Sequence, residues 1–393
     1  MEHVDIAVVG LGALGSATVH HLALRGADVV GFEQFELGHV RGASHDTSRI
    51  IRRAYDLPEY VRLADAAYRD WADLEQLSGE RLVTPTGGVT FCPADAPVPA
   101  SHYTDSLRSC GVDFEAWTPA EVRARFPQFA VREDVTTVWT PDSGIVHANR
   151  SVATLQMQAR MHGARLRDRC PVTALDDAGP DGVVLQTAQG PVHADTVVLC
   201  ADAWTNRLLA PLGAEVPLRV MQEQVTYFKP DRPADFEPGR FPIWIWEDDV
   251  CFYGFPSYGE STIKAARDVS EIAMDVDQRT FVPSPERLAE LQGFMAATMP
   301  GSGPALRTVT CQYALTPDRH FVLDSVPGHP RLLLGLGAGH AFKFTPTFGR
   351  VLAELAMTGT TTEDLSLFQA DRLALRAPAL TPALAPALTP GQL

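Results

Sequence analysis

Lysine is scarce in this chain. Only three of its basic residues are lysines, against thirty arginines: Lys229, Lys264 and Lys343. Codon bias alone accounts for such a ratio. Lysine is nevertheless a compact charge whose pKa shifts when it is buried, so it suits a tight redox or amine site better than the planar guanidinium of arginine. The three lysines are therefore the first places at which we look for chemistry.

A net positive charge, long apolar runs and clustered cysteines are also missing. The net charge of −15 argues against nucleic acid or an anionic membrane as a partner, so a small-molecule ligand is expected. No apolar run approaches the roughly 18 to 20 residues of a membrane span. No charged n-region with a cleavage site precedes the first apolar run, which begins at Asp5.

The cysteine pattern excludes two further classes of protein. The six cysteines form neither a C-x-x-C pair nor a Cys/His cluster, so we expect no zinc or other metal site and no disulfide framework. Free thiols fit a reducing compartment, and a cytoplasmic location is expected. At 393 residues the chain exceeds the usual size of a single core, which predicts two domains.

The N-terminus carries a dinucleotide-binding pattern. A buried strand at 5–9 leads into Gly10, Gly12 and Gly15, a helix follows to about residue 25, and a second strand at 28–32 ends on Glu33. Glycines at this spacing let the backbone approach a pyrophosphate at the N-terminus of a helix, and the acid binds ribose hydroxyls. The pattern predicts a dinucleotide site without separating NAD from FAD.

Pieces of the same α/β domain recur along the chain. Strands are predicted at 195–199 and 331–336, whereas the stretches at 241–246, 250–253 and 262–266 read as aromatic-rich antiparallel sheet. We therefore predict an α/β fold in which a Rossmann-like domain (1–85, 145–215 and 305–375) is interrupted by an antiparallel-sheet substrate domain (86–144 and 216–304). Residues 376–393 form a proline-rich, low-complexity tail that is expected to be extended or disordered.

Several segments resemble one enzyme family. GASHDTSRIIR at 42–52, YGFPS at 253–257, TCQY at 310–313, DRHF at 318–321 and GHAFKF at 339–344 are similar to the monomeric sarcosine oxidases and N-methyltryptophan oxidases of the D-amino acid oxidase superfamily. The resemblance extends to about residue 373. It implies a monomeric FAD enzyme that oxidises secondary amino acids at an N-alkyl or ring carbon. It also implies that oxygen reoxidises the flavin and yields hydrogen peroxide.

The resemblance also implies roles for individual residues. Cys311 is expected to bind FAD covalently, Arg52 and Lys343 to hold the substrate carboxylate, and Lys264 to promote oxygen reduction. The expected catalytic residues are Lys264, Arg52, Lys343, Tyr253, Tyr313, His45 and Arg49. The expected cofactor-binding residues are Gly10, Gly12, Gly15, Glu33, Ser44, Arg49, Cys311, Gly339 and Lys343.

Two positions depart from the family pattern. Asp268 stands where a histidine is usual, and Asp202 where a glycine is usual. The cofactor prediction is unaffected, but the amine substrate stays open among sarcosine, N-methyltryptophan, pipecolate and a specialised intermediate. Other functions also stay open: a deaminating oxidase or dehydrogenase with another electron acceptor, an inactive flavin-binding subunit, and an NAD enzyme, against which Cys311 speaks. Lys229 matches no family position.

Overall fold

A computed structural model describes residues 1–177 and 179–376. The predicted tail at 376–393 lies, apart from Arg376, outside the described residues. The strands are β1 Glu2–Val9, β2 Val29–Phe32, β3 Ser48–Ile51, β4 Val83–Pro85, β5 Gly88–Cys92, β6 Glu115–Trp117, β7 Thr136–Thr140, β8 Gly144–His147, β9 Arg165–Arg167, β10 Val172–Asp177, β11 Val183–Thr187, β12 Val192–Leu199, β13 Arg219–Phe228, β14 Ile243–Trp246, β15 Phe252–Phe255, β16 Ile263–Arg267, β17 Ala305–Leu315, β18 Val322–Val326 and β19 His329–Leu336. The α-helices are α1 Ala13–Leu24, α2 Pro58–Ser78, α3 Ala100–Ser109, α4 Pro119–Arg125, α5 Ala148–Met161, α6 Thr205–Leu209, α7 Pro285–Thr298, α8 Thr345–Thr358 and α9 Leu373–Arg376.

The first sheet has a parallel centre. Strands β9, β2, β1, β12 and β19 lie side by side and parallel, while β10, β11 and β18 add antiparallel edges. The central strands are almost wholly apolar and buried, as expected for a parallel sheet covered on both faces. Helix α1 packs against both α5 and α8 over this sheet. The predicted Rossmann-like arrangement is therefore confirmed.

The second sheet has the order β17-β13-β16-β15-β14-β5-β7-β6, and its neighbours are antiparallel except for the pair β14 and β5. Aromatic side chains, among them Trp244, Phe252 and Phe294, form its core against α7. The predicted hairpin is present as β14 and β15, and the third predicted strand as β16. A small third sheet of β3, β8 and β4 completes the sheets in the described part of the chain.

One strand crosses a predicted domain limit. β17 begins at Ala305, where the third cofactor-domain segment was expected, yet it pairs along its length with β13 of the second sheet. The chain returns to the first sheet only at β18, so the strand that carries Cys311 belongs to the second sheet. Among the described helices, none combines the length and apolar character needed to cross a bilayer.

Candidate active site

A cavity of 720 Å³ is bordered by residues of both large sheets. Its walls include the turn between β1 and α1, the loop before β3, strands β13, β15, β16 and β17, and the turn after β19. The predicted site residues in its lining are Gly10, Gly12, Glu33, Ser44, His45, Arg49, Tyr253, Lys264, Cys311, Tyr313, Gly339 and Lys343. Gly15 and Arg52 are the two predicted residues that do not line it.

Glycines in and just after the turn between β1 and α1 stand where a side chain has no room. Gly10 has φ 92°, and a Cβ on it would lie 2.4 Å from the carbonyl oxygen of Cys200. A Cβ on Gly15 would lie 1.8 Å from the carbonyl oxygen of Gly10, which explains why Gly15 matters without lining the cavity. Ser44 Oγ accepts a hydrogen bond from the Ala13 amide at 2.8 Å. The positive end of α1 thus faces a cavity that suits a pyrophosphate.

Glu33 completes the dinucleotide site. Its carboxylate accepts hydrogen bonds from the amides of Leu11 at 3.0 Å and Phe35 at 3.1 Å. Burial opposes ionisation, but the hydrogen bonds from His39, Leu11 and Phe35 outweigh it, and the pKa of Glu33 is lowered. An ionised acid at the end of β2 can accept hydrogen bonds from ribose hydroxyls. The cavity residues therefore fit FAD.

Lys264 lies buried in the cavity wall. Its Nζ donates hydrogen bonds to Asp46 Oδ2 at 2.9 Å and to the Ser48 carbonyl at 2.8 Å, and it lies 4.3 Å from the centre of the Phe255 ring. Burial lowers the pKa of Lys264 to about 8, against the opposing charge of Asp46. A buried ammonium is therefore held beside the cofactor cavity by one carboxylate.

Arg49 fixes the loop that precedes β3. Its guanidinium donates to the carbonyls of Ala43 at 2.8 Å, His45 at 2.7 Å and Ser48 at 2.9 Å. Burial and the charge of Arg49 lower the pKa of His45 to about 4, so its imidazole is neutral at pH 7. Burial raises the pKa of the Cys311 thiol, while Arg49 opposes this rise. Arg49 is thus the charge that most favours the thiolate form of Cys311.

A further part of the cavity wall is formed by Lys343, Tyr253, Tyr313 and Gly339. No hydrogen-bond acceptor for Lys343 Nζ is present among the described residues, and its nearest aromatic partner is the Tyr55 ring at 5.6 Å. Burial and the charge of Arg52 hold the pKa of Lys343 well below its usual value. A Cβ on Gly339 would lie 2.7 Å from the Tyr313 ring, so glycine permits this approach. An anionic ligand would supply a counter-charge and so stabilise the ammonium form of Lys343.

Arg52 is placed behind this wall rather than in it. It is 1% exposed, and its guanidinium lies 4.5 Å from the centre of the Tyr55 ring. The buried Glu247, which accepts a hydrogen bond from the Tyr103 hydroxyl at 2.9 Å, attracts the charge of Arg52. Arg52 therefore contributes positive potential toward Lys343, and its direct contact with a substrate carboxylate stays a prediction.

Asp268 and Asp202, the two residues that depart from the family pattern, lie in different surroundings. Asp268 is buried outside the cavity lining and forms an ion pair with Arg319 at 2.8 Å. Asp202 lines the cavity with φ 46° and accepts a hydrogen bond from Gln312 at 3.2 Å. Burial raises the pKa of Asp202. The charge that the sequence places at 268 is thus compensated by an arginine whose proximity the sequence did not reveal.

Two acidic residues of the cavity wall were not predicted from the sequence. Asp46 lies inside the family-like segment 42–52, and Glu223 lies on β13 directly opposite Cys311. A single acid inside the otherwise uncharged run 220–228 was the available signal for Glu223. Burial and the nearby Asp268 raise the pKa of Glu223 to about 8, so it is mostly protonated at pH 7.

This raised pKa predicts that stability falls as the pH rises. Between the unfolded pKa near 4.5 and the folded pKa near 8, the unfolded chain has lost the Glu223 proton that the folded chain retains. From pH 5.5 to 7.5 this group should remove about 2 to 3 kcal/mol of unfolding free energy. Glu223→Gln should abolish that loss in urea unfolding at the two pH values. An identical pH dependence in wild type and variant would contradict the assignment.

Outside the cavity, one group of potential metal ligands is present in the described residues. Donor atoms of His3, His193 and Asp195 lie within 4.8 Å of one another on the first sheet. The three residues are not part of the cavity lining.

Comparison with known proteins agrees with this geometry. Residues 5–355 match the family described as FAD dependent oxidoreductase. The monomeric sarcosine oxidase of Streptomyces avermitilis is 35% identical over 95% of this chain and 99% of the relative. The N-methyl-L-tryptophan oxidase of Salmonella arizonae is 28% identical over 94% and 99%. The solved structure of NikD, an amino acid oxidase essential for nikkomycin biosynthesis, has a TM-score of 0.83 at 28% identity, covering 94% and 98%.

The chain therefore belongs to the FAD dependent oxidoreductase family. Within it, the resemblance to the sarcosine and N-methyltryptophan oxidases is confirmed over nearly the full length of the chain. The predictions of a flavoenzyme and of FAD as its cofactor are confirmed with it. The covalent bond at Cys311 and the roles of individual residues stay predictions.

Proposed function

We propose that this protein is an FAD-dependent oxidase of N-methyl or cyclic secondary amino acids. The observation that carries the proposal is the continuity of the cavity. The glycine turn and Glu33, which suit the nucleotide, share it with Lys264, Lys343, Tyr253 and Tyr313, which suit a small anionic amine. A cavity of 720 Å³ has the size of a typical small-ligand site.

The cofactor supplies the oxidising power. FAD held by the glycine turn and Glu33 would supply a two-electron oxidation of the carbon beside the substrate nitrogen, with oxygen as the final electron acceptor and hydrogen peroxide as its product. The substrate also loses its N–H proton and leaves as an imine. Water converts the imine of an N-methyl substrate into the primary amine and formaldehyde. The protein itself binds the substrate, orients it and polarises it.

Lys343 binds the substrate carboxylate in this proposal. Its ammonium lies in the cavity wall without an acceptor among the described residues, and Arg52 adds positive potential from behind. A carboxylate supplies the missing acceptor and counter-charge, and such charge-assisted hydrogen bonds are stronger than neutral ones. Tyr253 and Tyr313 are then placed to contact the remainder of the substrate.

The substrate amine must be neutral to give up a hydride. Among the described residues of the lining, His45 with a pKa of about 4 and the mostly protonated Glu223 are poor bases at pH 7. Lys264 and Arg49 instead place positive charge in the cavity wall, which disfavours an ammonium ion on the ligand. Selection of the neutral amine from solution therefore replaces general-base catalysis.

The proposal is tested by two measurements on the purified flavoprotein. Anaerobic mixing with N-methyl and cyclic amino acids of graded size should bleach the oxidised flavin spectrum, and turnover in air should yield peroxide. Primary amino acids of matched size are the control. An unchanged spectrum with every secondary amino acid refutes the proposal, whereas bleaching without peroxide identifies a dehydrogenase.

Cys311 is proposed as the site of covalent FAD attachment. Its side chain lines the cavity, and the charges of Arg49 and Arg279 oppose the rise in thiol pKa that burial causes. Acid-denatured wild type should therefore retain its flavin, whereas Cys311→Ala should release it. Cys200→Ala is the matched control, since this cavity cysteine is buried and its pKa is raised to about 12. Release of all flavin from denatured wild type would contradict the covalent bond.

The proposal also covers the oligomeric state and the cellular location of the protein. A monomeric state is supported by relatives named monomeric sarcosine oxidases. A cytoplasmic location is supported by six cysteines that are all free.

A further inference from the structure

Asp46 has a backbone conformation that its residue type rarely adopts. Its φ is 84°, in the left-handed region that glycine enters freely and other residues only occasionally. Aspartate and asparagine are the commonest exceptions, and such outliers cluster at functional sites. The side chain of Asp46 must therefore supply an interaction that glycine at this position lacks.

That interaction is the support of Lys264. Asp46 Oδ2 accepts a hydrogen bond from Lys264 Nζ, and Oδ1 accepts one from the Tyr227 hydroxyl. The two charged side chains are 4% and 10% exposed, so water screens the pair only slightly. The Ser48 carbonyl takes a second N–H of Lys264, and the third has no acceptor among the described residues. Both residues line the cavity.

We propose that Asp46 is a positioning residue that keeps Lys264 as an ammonium ion and holds it in the wall of the cofactor cavity. The inference rests on the proposed oxidase function, in which oxygen gains electrons beside Lys264. A fixed positive charge there favours the negative charge that develops on oxygen. A neutral amine in the same place offers no such stabilisation.

The surrounding charges explain why a carboxylate is required. Burial lowers the pKa of Lys264 and Arg49 lowers it further, whereas Asp46 and Cys311 raise it. Tyr227, on β13, has its ring centre 5.9 Å from Nζ and is itself held neutral by a raised pKa. With these contributions the pKa of Lys264 is about 8, so the cation predominates at pH 7. An opposite charge at this range typically contributes 1 to 3 pH units, and its loss leaves a mostly neutral amine.

Because the chain has only three lysines, the titration of Lys264 can be measured directly. Labelling with ¹³C-lysine gives signals from three side chains only, and the Lys264 signal is the one that disappears in Lys264→Met. We expect its titration midpoint to lie near pH 8 in wild type and roughly two pH units lower in Asp46→Asn. Asparagine keeps the shape and tolerates the left-handed φ; it removes the charge and replaces one of the two acceptor oxygens with an amide donor.

Oxygen kinetics supply the second readout. Reoxidation of the substrate-reduced enzyme, followed by stopped flow from pH 5.5 to 9, should slow as the pH rises through about 8 in wild type. In Asp46→Asn the same decline should occur at lower pH, which makes reoxidation at pH 7.5 about twentyfold slower. Anaerobic reduction should change much less, because Asp46 does not contact Lys343.

Two further variants keep the test decisive. Asp46→Gly adopts the left-handed φ without strain, so it should remain folded and repeat the Asp46→Asn titration. Asp202→Asn changes another left-handed aspartate of the cavity wall and should leave the Lys264 midpoint unaltered. A Lys264 midpoint equal in wild type, Asp46→Asn and Asp46→Gly overturns the inference. Failure of the oxidase proposal would appear separately, as wild-type flavin that no secondary amino acid reduces.

Discussion

Lys264→Met is expected to slow the reaction of the reduced enzyme with oxygen by about 10²- to 10³-fold, the usual cost of removing one preorganised charge. The replacement has a similar length and no charge. The lysine is 4% exposed and water is largely excluded, so solvent does not compensate for the loss. Anaerobic reduction by substrate should stay within about threefold, because hydride donation does not build negative charge at this position.

Stopped-flow measurement of the two half-reactions separates these expectations. Lys264→Arg should also impair reoxidation, because a planar guanidinium does not fit the place where one nitrogen meets both Asp46 and Ser48. Lys229→Met is the control, since Lys229 is exposed and outside the cavity. If all three variants reacted with oxygen at the wild-type rate, Lys264 would have no role in that step.

Lys343→Met is expected to weaken the binding of carboxylate ligands by about 10- to 100-fold, since a hydrogen bond to a charged group contributes about 1.5 to 3 kcal/mol. The variant should fold at least as stably as wild type. Burial opposes the Lys343 charge, and a methionine of similar length relieves that cost. Weak binding would then report the lost charge rather than a damaged fold.

Small carboxylic acids without an amine serve as probes for this prediction. Their dissociation constants follow from perturbation of the flavin spectrum, and thermal unfolding of the same samples measures stability. Lys229→Met should bind the acids as wild type does, and neutral amides of the same size should not distinguish the variants. Equal affinity for the acids in Lys343→Met and wild type would assign the carboxylate to another residue.

The sequence predicts the cofactor half of the molecule well because its signals are local. The glycine spacing, Glu33 and the strand limits around them depend on neighbours within about thirty residues, and the structure confirms β1, α1 and β2 close to the predicted bounds. Helix α8 also ends on a local signal, because Gly359, which follows its last residue, has φ 75°. Turn and cap chemistry explains each of these matches.

Distant partners explain what the sequence did not predict. Arg52 lies behind the cavity wall because Glu247, almost two hundred residues away, is buried beside it. Asp46 gains its role from Lys264, and its left-handed backbone has no signature in the residue order. The predicted domain limits put residues 305–315 in the cofactor domain, because no local signal reveals that β17 pairs with β13, a strand about ninety residues earlier. Contacts of this kind become visible only in three dimensions.

The buried pair of Asp268 and Arg319 restricts how this protein can diverge. Removing either partner alone leaves an unpaired buried charge, which typically costs 3 to 5 kcal/mol, a large part of the stability of an ordinary domain. A histidine introduced at 268 therefore needs a simultaneous change at 319. We expect the residues at 268 and 319 to change together among related proteins. A redesign of the substrate range must therefore substitute both residues at once.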